Sequence, residues 1–452
     1  MLIAKIILGL LGLGIVVFIH ELGHFLAARL VGIDVEAFSV GWGNPILKKK
    51  VGEVEYRIGM FPIGGYCKMK GENEFQEAYG KIEQEISPVT GTYYGVGPIR
   101  RIIVSFAGPL FNLLFAVLVL AVIWGVGFEI HTLDNRIVLA SDVNPGDRYP
   151  ADESGLMTGD RIVRIGNKVV INFRDIQEAI TPYPEKDLAV MVERDAAILE
   201  CTVRPDLDKT TGAGKIGVYY WADPVVGAIV PESPAAIAGI EVGDRIRTVN
   251  GKAIPYTAAM LGLFRDQPPV LTVEYERQGG IKTTDIVLSY TDGQMADIGM
   301  AYQTIQYRTP SYSPVGALVQ GAQESWKIFV ISLKSLVLLF KGIDLTQAVS
   351  GPIRITYMVG DVAAEGFGQS IGAGLSATAN FLALISIALC IMNLLPLPVL
   401  DGGMILLFIV EIIKGHPLRP KTIYASQTVG VVLIFGLMIF AVFGDILFLV
   451  RR

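Results

Sequence analysis

Apolar residues gather into four long runs, two near each end of the chain, with a mixed, charged stretch from Phe128 to Arg308 between the pairs. Leu2–Leu30, Ile102–Gly127, Leu375–Leu395 and Val429–Val450 each come close to the roughly 20 apolar residues that cross a hydrocarbon core. They predict four transmembrane helices. Basic residues cluster between the first two runs, at Arg29, Lys48–Lys50, Arg57, Lys68, Lys70, Arg100 and Arg101, and between the last two at Lys414, Arg419 and Lys421. Cytoplasmic loops carry such an excess, so both loops are expected inside and the mixed stretch outside. The first run starts like a secretory signal, with Lys5 ahead of it. It continues past His24 and carries chemistry that cleavage would discard, so it is expected to be retained.

Shorter patterns fill the gaps. Val35–Val40 and Val54–Met60 have strand character and lead into Gly41-Trp42-Gly43 and Gly64-Gly65-Tyr66. They predict a membrane-associated β-hairpin whose glycines allow close backbone approach. Such a hairpin is either structural or an edge that takes an extended substrate by strand addition. The acidic run Glu72–Pro88 is expected to be exposed. After Pro310 comes Val315–Phe340, whose core, Trp326–Phe340, is apolar but interrupted by Lys327 and Lys334 at heptad spacing and bounded by Lys341. That one-face pattern predicts an amphipathic helix on the outer membrane surface. The glycine-rich Val349–Gly374 is expected to form a loop or short helix at the interface. Asp445, near the outer end of the last run, is expected to snorkel or pair at the interface.

The mixed stretch contains a repeat. Pro150-Ala151 followed by Gly155-Leu156-Met157-Thr158-Gly159-Asp160-Arg161-Ile162 matches Pro234-Ala235 followed by Gly239-Ile240-Glu241-Val242-Gly243-Asp244-Arg245-Ile246 in constant register. Each block ends in a strand and a turn, Gly166-Asn167-Lys168 and Asn250-Gly251-Lys252.

Composition agrees with a membrane protein carrying a polar insert: mean hydropathy is +0.49 and 52% of residues are hydrophobic. A net charge of −5 argues against nucleic acid as a partner. The cysteines, Cys67, Cys201 and Cys390, are too scattered for a disulfide framework or a metal-ligand spacing.

The chemistry is concentrated in His20-Glu21-Leu22-Gly23-His24, inside the first apolar run. Histidines four apart share one face of a helix. Two neutral imidazoles there can grip a divalent metal, with Glu21 as base toward the water it activates. A third ligand is needed, and Asp401 supplies one. It follows Asn393-Leu394-Leu395-Pro396-Leu397-Pro398, where the prolines interrupt a regular helix. Unwound backbone at membrane depth is tolerated where it lines a cavity. The other reading of Asp401 is a helix N-cap. Two imidazoles, one carboxylate and an open position suit hydrolytic zinc, although ligand type leaves iron, cobalt and manganese open. Asn112, polar at membrane depth in Ala107-Gly108-Pro109-Leu110-Phe111-Asn112, is read as holding helices together, the alternative being contact with the site.

His20-Glu21-Leu22-Gly23-His24 in a first span, Asn393 to Leu400-Asp401-Gly402 at the third, and a Gly-Asp repeat that resembles tandem PDZ domains between them together resemble the bacterial site-2 protease family, in its sigma-E-regulating branch. The likeness covers essentially the whole chain, with Met404 where the family often has histidine. It implies Zn2+ at His20, His24 and Asp401, Glu21 as the catalytic group, and substrate contacts at Asn393, Gly41, Gly43, Gly64 and Gly65. The implied fold is a polytopic α-helical membrane protein with four transmembrane helices, a membrane-associated β-hairpin and two inserted α+β PDZ domains. Its divisions are 1–127 with the first two spans, 128–220 and 221–308 for the PDZ domains, 309–374 for the amphipathic region and 375–452 for the last two spans. The implied activity is cleavage of single-span membrane proteins, such as an anti-sigma factor or signal-peptide remnants, in the bacterial inner membrane. The PDZ domains would sit in the periplasm and the active site near the cytoplasmic face. The competing reading is a non-catalytic PDZ scaffold. A metal transporter would need several midplane ligands along a path, and only one cluster is present in the sequence.

Overall fold

A computed structural model of the chain describes residues 2–81, 88–209, 211–264, 267–290, 298–338 and 351–450. The chain divides into two units, Met1–Phe128 with Pro310–Arg452, and Glu129–Thr309.

In the first unit four helices are long and apolar enough to cross a bilayer: Lys5–Val31, Pro98–Val126, Ile371–Asn393 and Pro420–Ile446. The first of them is fixed by small residues. A Cβ on Gly23 would meet the Ala107 carbonyl of the second helix, and one on Gly12 would meet Leu382 of the third. Backbones that close pack by dispersion, the main attraction available between helices in lipid.

The expected hairpin is wider than two simple strands. β1 (Val35–Val51) and β2 (Val54–Met69) bend so that Ala37–Val40 faces Gly65–Lys68 on one side and Glu55–Ile58 on the other, while Leu47–Val51 lies opposite Val54–Ile58. Gly41 and Gly43 sit at φ 84° and 90°, a region open to glycine at little cost. They make the bend in β1. Its margins are therefore Leu47–Val51 and Gly65–Met69.

Three expectations change. Within the acidic run, Glu74–Gly80 is a helix whose Phe75 is buried with Leu418 and Ile423, and Tyr79 stacks on Tyr424. Residues 82–87 of that run lie outside the described residues. The amphipathic helix starts within one residue of the expected Val315, at Pro314, and runs to Leu338, but its placement differs. It lies lengthwise against the second spanning helix rather than across a surface: Ala317 approaches Gly125, Gly321 lies against Val117 and Ala121, and Ile328 and Phe329 pack on the apolar cluster that includes Ala116 and Leu120. The physical reason is Gly321, which lets the two backbones close. Phe340 and Lys341 are outside the described residues. The glycine-rich segment is a full helix, Pro352–Gln369, which packs Val359 with Val16 and Leu382. Asp445 is buried and accepts the backbone N–H groups of Gly351, Ile353 and Arg354 at 2.9, 3.0 and 3.2 Å. It caps that helix from the last span, where a free carboxylate would be costly.

The second unit is built twice. Arg161–Ile165 and Arg245–Val249 are inner strands of two four-stranded sheets with the same order of strands. Separate apolar cores form around Ile162, Ile176 and Val190 and around Ile246, Leu271 and Ile286. The repeated Gly-Asp has one role in both halves. Asp160 takes two bonds from Arg194, at 2.7 and 2.6 Å, and Arg194 donates to the Gly155 carbonyl at 2.8 Å. Asp244, Arg277 and Gly239 repeat all three bonds at 2.7 Å. The carboxylates are almost fully buried, so each depends on its fork-shaped arginine partner.

Candidate active site

The first spanning helix presents His20 and His24 one above the other, with ring centroids 4.7 Å apart. Their orientation comes from the second spanning helix. His24 Nδ1 is 2.8 Å from the Val104 carbonyl, to which it donates. His20 Nδ1 is 3.3 Å from the side-chain amide of Asn112. Between these two anchors is Gly108, where any Cβ would collide with His24 Nε2 and His20 Cε1. Val104, Gly108 and Asn112 recur every four residues, a single stripe on one helix face. From the sequence, Asn112 reads as glue between helices with contact to the site as the alternative, and Val104 has no assigned role; the structure shows the contact. The stripe was the available signal, but only the tertiary structure shows which helix it meets.

Asp401 arrives from the other end of the chain. The third span ends at Asn393, and residues 394–400 form a tight irregular turn before the helix Asp401–Lys414. Val399 is held at φ 83°, an expensive conformation for a β-branched residue, of order 1–3 kcal/mol. Glycines make room for this turn: Gly402 lies against the Leu394 and Leu395 carbonyls, and Gly403 against that of Leu397. The cap position of the following helix is Leu400, with no side-chain cap. Asp401 is therefore the first helical residue rather than its N-cap, and its carboxylate turns to the imidazoles.

The three side chains meet. His20 Nε2 and His24 Nε2 are 3.2 Å apart, His20 Nε2 is 3.3 Å from Asp401 Oδ2, and His24 Nε2 is 3.5 Å from Asp401 Oδ1. Bonds of 2.0–2.1 Å to a tetrahedral zinc put ligand atoms about 3.3–3.4 Å apart, so the spacing fits. Both Nδ1 atoms are engaged elsewhere, which leaves both Nε2 atoms facing the same point as one carboxylate. That donor set suits zinc.

Glu21 stands beside this triangle. Cys67 of β2 lines the same cavity as Glu21. β2 comes this close because Gly65 has no side chain: a Cβ there would touch Glu21 Cγ and Val17. Two cavities meet at Glu21, His20 and Asn393. One, of about 500 Å³, is polar and also lined by Glu72, Asn73, Ser105 and Gln427. The other, of about 540 Å³, is apolar and lined by Val17, Trp42, Phe61, Gly64, Gly65 and Leu389. Among the expected substrate residues, Asn393, Gly64 and Gly65 thus line a cavity at the site. Gly41 and Gly43 are not among the residues lining either; they abut Phe61 and shape β1. Trp42 between them is the residue of that segment that reaches the apolar cavity, and its indole N–H donates to the Gly65 carbonyl at 3.2 Å.

A buried ion pair ties the helix that carries Asp401 to the second span. Arg101 donates to Glu411 at 2.6 and 3.3 Å, and its guanidinium lies over the rings of Phe408 and Tyr94.

The model of peptidase family M50 matches residues 8–437. The chain belongs to peptidase family M50. It is 39% identical to a Treponema pallidum protein named "Putative zinc metalloprotease", over 98% of this chain and 99% of that one. It is 30% identical to "Regulator of sigma-E protease RseP" of Escherichia coli, over 96% of this chain and 97% of that one. As an M50 peptidase, the protein is a membrane-embedded zinc metalloprotease of the site-2 type.

Proposed function

We propose that this M50 peptidase cuts single-span membrane proteins within the bilayer, with His20, His24 and Asp401 as zinc ligands and Glu21 as the acid–base group. The carrying observation is the triangle of ligand atoms, 3.2–3.5 Å on a side, with Glu21 at the junction of a polar and an apolar cavity. Zinc, when bound, would make a water nucleophilic near neutral pH and polarise the scissile carbonyl. Glu21 takes a proton from the attacking water and returns one to the leaving amine. The apolar cavity receives the unwound substrate segment, and the polar one supplies water and receives the polar products. The Gly65–Met69 margin of the hairpin pairs with extended substrate backbone, and Asn393 hydrogen-bonds it.

The insert is read as two PDZ domains, 128–220 and 221–308, facing the periplasm of a bacterial inner-membrane protein. In support, each half has a cavity beside an equivalent helical segment, Phe173–Ile180 in one and Thr257–Phe264 in the other. They limit the size of the outer domain that a substrate brings, so that a prior cut is needed. The Escherichia coli relative is named a regulator of sigma-E, which favours an anti-sigma factor or signal-peptide remnants as substrate. The intact His20, Glu21, His24 and Asp401 set argues against a non-catalytic scaffold.

The test is cleavage of a single-span substrate by the full chain in proteoliposomes. Glu21→Gln lowers turnover by about a thousandfold while zinc stays bound; unchanged turnover refutes the assignment. Removing 129–309 leaves cleavage of trimmed substrate and admits untrimmed substrate. Continued resistance of the untrimmed form would put the filter elsewhere.

A further inference from the structure

We propose that Asn112 is a positioning residue for the metal centre: its side-chain oxygen accepts the Nδ1 proton of His20 and so fixes the tautomer that offers Nε2 to zinc. This rests on the zinc-ligand reading of His20. Asn112 is fully buried in the second spanning helix, and its amide is 3.3 Å from His20 Nδ1. Its place is set from a third direction, because Ser386 of the third span, also fully buried, donates to the Asn112 backbone carbonyl at 2.8 Å. The backbone at Asn112 is therefore tied to the third span, and its side chain reaches the first.

The chemistry of a neutral imidazole decides which end of the amide matters. If Nε2 holds a metal, the single ring proton is on Nδ1, and Nδ1 needs an acceptor. His24 has one in the Val104 carbonyl. Among the described residues, the partner of His20 Nδ1 is the side chain of Asn112. With nitrogen toward the ring, the amide would donate to Nδ1, and Asn112 Oδ1 is left buried without a partner. That arrangement matches the other tautomer, whose proton is on Nε2 and blocks the metal. A half-turn of the amide exchanges oxygen and nitrogen in place and gives Nδ1–H···Oδ1, the metal-ready form. The two histidines thus have unequal supports. His24 leans on a helix carbonyl that no substitution removes, and His20 on a single side chain that one substitution deletes.

Partners of this kind change metal affinity by roughly 10–100-fold when removed. The test is zinc affinity of the full chain in detergent, by competition with a chromophoric chelator, for wild type, Asn112→Leu and Asn112→Asp. Leucine keeps the volume and removes the acceptor; aspartate keeps the acceptor. Asn112→Leu is expected to bind zinc about 10–100-fold more weakly, and Asn112→Asp within about threefold of wild type or tighter. A packing role predicts the opposite order, since a buried carboxylate is the worse substitution for packing. Wild-type affinity in Asn112→Leu, or an equal loss in both variants, overturns the proposal. Should Asn112→Leu fail to insert, Asn112→Asp decides alone: retained zinc supports the role and lost zinc overturns it. A wild-type chain that binds no zinc would instead remove the zinc-ligand reading, and this inference with it.

Discussion

The two units bury charge in opposite ways. In the insert, each buried carboxylate finds its arginine close by in the chain: Asp160 and Arg194 are 34 residues apart, Asp244 and Arg277 are 33 apart. The same three bonds are made twice. In the membrane unit, polar groups find partners far along the chain. Arg101 and Glu411 are 310 residues apart, Gly351 and Asp445 are 94, and His20 and Asn112 are 92. Each half of the insert encloses its own core, so its bonds close within one folding unit. A spanning helix satisfies its own backbone but not its polar side chains. Lipid offers no water, so these must meet groups on other helices. Substitutions should therefore act locally in the insert and at a distance in the membrane unit.

Among substitutions that probe this contrast, the largest effect is expected at Gly108. Alanine there puts a methyl against both imidazoles, and misplacing catalytic groups by about 1 Å costs on the order of a hundredfold in rate. Gly108→Ala should lose at least that much proteolysis and most of its zinc, read by turnover and metal analysis. Full zinc occupancy would show that the second span is not the floor of the site.

Next is Arg101→Leu. It leaves the Glu411 carboxylate buried without its partner, at a cost of roughly 3–5 kcal/mol. The double variant Arg101→Leu/Glu411→Leu should recover most of that loss in denaturant unfolding. Additive losses would mean that the pair is not coupled. Because Glu411 shares a helix with Asp401, the single variant should also weaken zinc binding, although neither residue touches the site.

The smallest effect belongs to the insert. Asp244→Asn should cost about 2–3 kcal/mol through the lost charge-assisted bonds. Hydrogen exchange should show the loss in strand Arg245–Val249 and little change in Arg161–Ile165. Zinc content should not change; a zinc effect would erase the contrast between the units. Burial works to raise the Asp244 carboxyl, but bonds from Arg277 and the Glu241 backbone amide outweigh it and hold it below its ordinary 3.8. A depressed carboxylate adds stability above its unfolded pKa and loses it as pH falls through the folded one. Protection of that strand should therefore weaken below about pH 4, and Asp244→Asn should flatten the dependence.

The sequence by itself determined what depends on spacing along one element. Helical periodicity and length made the four spans legible, and the four-residue spacing of His20 and His24 made their shared face certain. The Gly-Asp repeat was legible because its turn and strand are contiguous. Tertiary structure decided everything set by which faces meet. Nothing in the order of residues says that Val104, Gly108 and Asn112 lie under the imidazoles, that Pro314–Leu338 runs beside the second span, or that Asp445 caps a helix some ninety residues earlier. Gly41 and Gly65 look alike in sequence, yet one bends β1 and the other brings β2 to Glu21. The physical reason is that side-chain periodicity fixes a direction around one axis, while a site in a membrane is made where several axes cross, and their approach is set by small residues whose partners lie hundreds of positions away.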